Sequence, residues 1–306
     1  MNNPSTGCAV ARPVERVYIE AKQMSEVSAM STQSRLPVFF IPHGGGPWPF
    51  MHGPEGILPD NDPWKELEVF LKGFDKALGR RPKAVLVISA HWEKVDQLTV
   101  STAAHPGMLF DYYGFPKHTF ELSYPAPGAP EVGEHVRDVV AKAGIETKSD
   151  SERGFDHGVF IPFMMMYPDA DVPIAMMSLD PDLSAETHFR IGEALQSLRD
   201  EDILIVASGL SYHNMRMFYR EDPEHAAAAT RFDAWLKEAL AIEDPAQRNA
   251  RLATWTENPD ALACHVPDHD HLVPVFAAAG AAGADTGQQI FRGNFRGKPY
   301  SAYRFG

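Results

Sequence analysis

Four short and almost wholly apolar runs, at residues 36–41, 84–90, 172–179 and 203–208, constrain the fold more than any other feature of this chain. A run that is apolar at every position, rather than at alternate ones, belongs to a strand covered on both faces. Stretches of helical periodicity separate these runs: residues 64–78, then 131–143 with Val132, Val136, Val139 and Val140 on one face, then 186–199, 226–255, and an apolar segment after His271. Strand-helix-strand alternation builds a parallel sheet. The expected architecture is a single α/β domain over residues 36–306, with a central mostly parallel or mixed sheet flanked by helices. Residues 1–35 lack periodicity and read as a peripheral or disordered extension. Residues 104–130, rich in Pro, Gly and aromatics, read as one long irregular loop.

Composition removes several function classes. A net charge of −13 offers no basic face for a phosphate backbone, so nucleic acid is not expected as a partner. No run approaches the roughly 18 apolar residues of a membrane helix, and the N-terminus lacks the apolar stretch of a secretory signal, so no membrane association is expected. Cys8 and Cys264 are the only cysteines, too few for a disulfide framework or a thiolate zinc site. The expected compartment is cytoplasmic, and a homo-oligomer is left open.

Five histidines fall where strands give way to loops: His43, His91, His157, His213 and His271. Each has small neighbours, as in His43-Gly44-Gly45-Gly46, Ser89-Ala90-His91, Asp156-His157-Gly158 and Ser208-Gly209 ahead of His213. Taken singly, a strand-end histidine is more often a hydrogen-bonded loop residue. Five in such settings read as one metal-centred site at the C-terminal ends of the strands, where open α/β sheets bind ligands. Neutral imidazole suits zinc, iron and copper alike, and a metal with open positions activates water or dioxygen. The triglycine also suits an oxyanion hole, but that reading needs a Gly-x-Ser-x-Gly nucleophile elbow, and none occurs. The Met164-Met165-Met166 triplet reads as core filling, and the eight other histidines as loop or polar-face residues.

The ordered set Pro42-His43-Gly44-Gly45-Gly46-Pro47, Ser89-Ala90-His91-Trp92, Tyr124-Pro125-Ala126-Pro127-Gly128, Gly154-Phe155-Asp156-His157-Gly158, Ala207-Ser208-Gly209 and His213-Asn214 resembles the 4,5-DOPA extradiol dioxygenases. These belong to the class III, LigB-like extradiol ring-cleaving superfamily. The resemblance runs from about residue 36 to the C-terminus. It implies that His43, His91 and His271 are metal ligands, with His213 either a further ligand or an acid/base, and that His157 contacts a substrate hydroxyl. In the wider superfamily a glutamate is typical at the third ligand position. Histidine there adds about one positive charge, which favours an anionic catecholate and also suits zinc, while Asp268 or Asp270 remains an alternative carboxylate ligand.

The implied reaction is cleavage of a catechol outside its diol, with O2 and Fe(II). His213 is the first choice of base, and His157 steadies bound oxygen or donates a proton. Trp48, Trp92, Tyr112, Tyr113 and Phe115 are candidates for an aromatic wall or for ordinary packing. A Zn(II) hydrolase using the same histidine cage, and a catalytically silent metal-binding protein, are the competing readings.

Overall fold

The apolar runs do become buried strands in the computed structural model, which describes residues 35–52 and 63–306. In chain order the strands among the described residues are β1 (Val38–Pro42), β2 (Ala84–Ser89), β3 (Leu98–Ser101), β4 (Thr147–Asp150), β5 (Ile174–Met177), β6 (Ile203–Gly209), β7 (His213–Asn214), β8 (His265–Val266), β9 (Gly287–Phe295) and β10 (Lys298–Phe305). The α-helices are α1 (Lys65–Lys72), α2 (Phe74–Leu78), α3 (Pro130–Lys142), α4 (His157–Met166), α5 (Ala185–Ala194), α6 (Pro223–Leu240), α7 (Pro245–Ala253), α8 (Pro259–Cys264) and α9 (Pro274–Ala282). Apart from Arg35, the extension expected over residues 1–35 lies outside the described residues.

Eight strands form one sheet in the order β4-β3-β5-β2-β6-β1-β10-β9, and β7 pairs with β8 in a separate two-stranded ribbon. The middle of the sheet, β5-β2-β6-β1, is parallel, whereas β10 runs antiparallel to β1 and β3 antiparallel to β5. The expected single α/β domain with a mixed sheet is therefore what forms. Every residue of β1, β2, β5 and β6 is buried. Each fully buried aliphatic side chain there contributes about 1.5–3 kcal/mol of transfer free energy, offset by ordering entropy. Helix α9 packs on α5, β6 and β1, while α4 packs on α1, β2 and β6. Neither α4 nor α9 has a polar face, because both are buried almost all round.

Local signals misplaced some boundaries. The helix expected over 64–78 is two, divided at Gly73, and the stretch 226–255 is also two, because Asp244 caps a new helix that has Pro245 in its first turn. The C-terminal hairpin of β9 and β10 was not anticipated at all. Its turn places Arg296 and Gly297 at φ 53° and 86°, a two-residue arrangement that matches strand twist. The inward polar residues of β10 hid it: Lys298 and Ser301 are buried. No helix among the described residues is long and apolar enough to cross a membrane.

Candidate metal centre

Strand β6 lies between β1 and β2, and register places Pro42 opposite Gly209 and Ser89 opposite Ser208. Three adjacent parallel strands thus end at one level. His43 and His91 follow one and two residues later, on either side of β6. The ladder continues briefly beyond the strands: His43 N–H donates to the Gly209 carbonyl at 3.3 Å, and Ala90 N–H to that of Ser208 at 3.0 Å. Past β6, Leu210 N–H donates to the His271 carbonyl at 2.9 Å, which docks the segment 268–271 against the strand end. A Cβ at position 209 would lie 2.3 Å from that same carbonyl oxygen, so glycine is required by close approach. His157 opens α4, and His213 in β7 pairs with His265 in β8.

All five expected histidines meet. Ring centroids of His43 lie 4.7 Å from His91, 5.3 Å from His157 and 5.1 Å from His271. His91 is 3.8 Å from His157 and 4.8 Å from His271, and His213 stacks on His271 at 3.5 Å. Two sets of potential ligand atoms are grouped within 4.8 Å of one another: His43 with His91 and His157, and His213 with Asp270 and His271. Of the two alternative carboxylates, only Asp270 belongs to a group; it accepts from the His271 backbone N–H at 2.9 Å and lies 3.0 Å from its Nδ1.

Sequence reasoning passed over Asp111, which sits in the aromatic-rich loop. Its Oδ1 lies 2.7 Å from His157 Nδ1 and accepts the His157 backbone N–H at 3.0 Å, and its Oδ2 lies 3.2 Å from His91 Nδ1. The loop has little regular structure, yet Phe110 and Tyr112 pack on Phe120 and Phe160 and fix it. Asp156, the chain neighbour of His157, is fully buried. It accepts from Ser89 Oγ at 2.8 Å and pairs with Arg153 at 3.0 Å, and Arg153 in turn donates to the His91 carbonyl. Of the expected aromatic wall, Trp48 is buried and donates its indole N–H to the His43 carbonyl, Trp92 lies under Arg153, and Tyr113 is exposed. Two histidines read as peripheral, His188 and His265, are buried instead.

Electrostatics disfavours the charged form of three of the imidazoles, His43, His91 and His213. Burial, followed by repulsion from the neighbouring histidines, pushes His43 and His91 well below the ordinary imidazole range. His213 is lowered for the same two reasons, with His271 the leading neighbour. For Asp111, burial alone would raise the carboxyl, but the hydrogen bond and charge of His157 outweigh it and hold the group below its usual value. Crowded neutral imidazoles flanked by anionic carboxylates are the state a divalent cation requires.

The donor set fits such an ion. His91 Nδ1 faces Asp111 and His271 Nδ1 faces Asp270, so both rings carry their proton at Nδ1 and present an Nε2 lone pair. Those two Nε2 atoms are 3.2 Å apart. With neither nitrogen protonated, two lone pairs so placed repel each other unless a cation lies between them, and nitrogens bound to one ion at about 2.1 Å each are separated by roughly 3.0–3.4 Å. The buried His43 ring has donor capacity to spare, since neither of its nitrogens makes a hydrogen bond of ordinary geometry within the protein.

Comparison with known proteins agrees with this chemistry. Residues 39–306 match the family described as the catalytic LigB subunit of aromatic ring-opening dioxygenase. A 4,5-DOPA dioxygenase extradiol of Beta vulgaris is 34% identical over 271 residues, covering 87% of this chain and 95% of that protein. The dioxygenase tasH of Hapsidospora irregularis is 33% identical over 303 residues, covering 91% and 88% respectively. The crystal structure of an uncharacterized protein from Escherichia coli K12 superposes with a TM-score of 0.68 at 28% identity, covering 89% of this chain and all of that one.

Proposed function

Because this chain belongs to the LigB family of aromatic ring-opening dioxygenases and is a metal-dependent extradiol ring-cleaving enzyme, we propose that it opens a catechol, DOPA-like or otherwise substituted, at an Fe(II) centre held by His43, His91 and His271. The observation that carries the ligand assignment is the 3.2 Å approach of the Nε2 atoms of His91 and His271, with a carboxylate behind each ring. Iron bound there would supply coordination positions for the diol oxygens and O2, together with the one-electron chemistry that spin-paired organic substrates cannot perform alone.

The remaining work falls to the protein. His213, stacked on His271, is placed beside the ligand set to take a proton from the catechol as it binds. Its proximity to the ligand set also leaves it within reach as a fourth ligand. His157 has its Nδ1 committed to Asp111, so its working atom is Nε2, which would meet a substrate hydroxyl and exchange a proton with it. The almost complete burial of His43, His157 and His271 limits water around the substrate and strengthens every charge interaction in the site. We also read residues 36–306 as the catalytic domain.

Oxygen uptake by protein reconstituted anaerobically with Fe(II), alongside a zinc-loaded sample, tests this function with a panel of catechols and visible absorbance recorded. The expected result is uptake with iron alone and a yellow ring-opened product. Turnover in the zinc-loaded sample without oxygen would replace the iron assignment by water-activating chemistry.

A further inference from the structure

One carboxylate serves two of the five histidines. Asp111 Oδ1 meets both the backbone N–H and the Nδ1 of His157, at 3.0 and 2.7 Å, while Oδ2 faces His91 Nδ1 at 3.2 Å. The backbone contact also caps α4 from outside the helix. The residue in the N-cap position, Asp156, makes no capping bond, because its side chain is occupied by Ser89 and Arg153. An ionised carboxylate only accepts hydrogen bonds, so a ring nitrogen facing it must carry the proton. Both Nδ1 atoms are thereby protonated, and both Nε2 atoms are left with lone pairs on the opposite edge of their rings.

We propose that Asp111 is a positioning residue that fixes the tautomer and ring direction of His91 and His157 together, so that a single side chain readies a metal ligand and the acid/base beside it. The inference rests on the assignment of His91 as a ligand and His157 as an acid/base. It adds that the two are not set independently: losing the carboxylate releases both rings at once. The rings are only 3.8 Å apart at their centroids, and a shared anchor keeps that spacing fixed.

Asp111→Asn separates the two contacts. The His157 backbone N–H can only donate, so the carboxamide oxygen must take the Oδ1 position and the NH2 group must face His91. His91 is then driven to carry its proton at Nε2, the atom needed for the metal, whereas His157 keeps its tautomer. Two-bond 1H–15N spectra of zinc-loaded protein labelled in histidine read this directly. The wild type should show His91 and His157 protonated at Nδ1; in Asp111→Asn, His91 should lose that signature and zinc affinity, measured by competition with a chelating dye, should fall about 10–100-fold.

A wild-type spectrum with either ring protonated at Nε2 would overturn the proposal, and it needs no variant that folds. So would an Asp111→Asn protein with unchanged His91 tautomer and unchanged zinc affinity. His91→Ala distinguishes the two ways of failing. If it binds zinc as tightly as the wild type, the ligand assignment is wrong and the Asp111 role goes with it; if it loses zinc while Asp111→Asn does not, only the Asp111 role is wrong.

Discussion

His213 lies flat against His271, with ring centroids 3.5 Å apart and 11° between their planes. Stacked in this way, His213 is carried into the histidine cluster by the ribbon of β7 and β8 rather than by the main sheet. One of its nitrogens, Nδ1, is buried without a hydrogen-bond partner. His213→Ala should therefore leave metal content near the wild-type value while lowering kcat by about 10²–10⁴-fold, the range of a lost acid/base. Metal analysis beside steady-state kinetics checks this, and loss of metal in step with activity would make His213 a ligand instead.

Gly209→Ala tests whether the end of β6 must touch the His271 segment. The added methyl meets a backbone oxygen, which cannot rotate away as a side chain would. The expected cost is about 1–3 kcal/mol of stability, accompanied by weaker metal binding because His271 is displaced. Denaturant unfolding and metal competition on the same sample measure both; unchanged metal affinity would show that the segment tolerates the shift.

Stability should fall in mild acid because of a buried histidine outside the proposed ligand set. His188 is buried, donates from Nδ1 to the Ser184 carbonyl at 2.7 Å and accepts the Asp180 N–H on Nε2 at 3.1 Å, so its neutral form is fully satisfied. Burial, only partly opposed by Ser184, pushes its pKa down to about 4. Below pH 6.5 the unfolded chain takes up a proton there that the folded chain refuses. Its contribution is thus intact above pH 6.5, declines as pH falls from 6.5 toward 4, and is constant below. Between pH 7.5 and pH 5 the loss from this group amounts to about 2 kcal/mol. Urea unfolding of metal-free wild type and His188→Gln at both pH values isolates it: the wild type should lose more stability than the variant, and equal losses would refute the role given to His188.

Lys298 offers a fourth test. Its ammonium is buried and donates to the carbonyls of Met217 and Phe218 at 3.1 Å and of Arg220 at 2.7 Å, closing the loop that follows His213 and Asn214. Lys298→Met keeps the apolar stem but strands three acceptors, at a cost of at least about 2 kcal/mol. Thermal unfolding should show the loss, and limited proteolysis should cut first near residues 215–220. A variant as stable as the wild type would mean that other donors or water satisfy these carbonyls.

Much of the site was legible because its histidines are tied to local pattern. A wholly apolar run ending in glycine or serine identifies a buried strand and its exit, and His43 and His91 stand at such exits. Asp111 gave no comparable signal: it sits in a loop without periodicity, and its partners are 20 and 46 positions away along the chain, His91 before it and His157 after it. Histidine in a helix is compatible with either face, and only the tertiary packing that buries His188 on α5 decides the matter. The β9–β10 hairpin went unread because its buried polar residues break the alternation that marks a strand; Ser301 is satisfied by Asp233 on α6, a contact between distant segments.

The sequence by itself determined that the chain folds as an α/β domain with a parallel centre and that five histidines lie at element boundaries. Both follow from short-range patterning, since burial on two faces requires continuous apolar runs and turns require small residues. Tertiary structure alone decided that β6 enters between β1 and β2, bringing His43 and His91 to either side of one strand end, and that Asp111 and Asp270 set which nitrogen of each ring points inward. Strand order and hydrogen-bond partnership depend on which distant surfaces bury each other, a free-energy balance summed over the whole core and carried by no local window of residues.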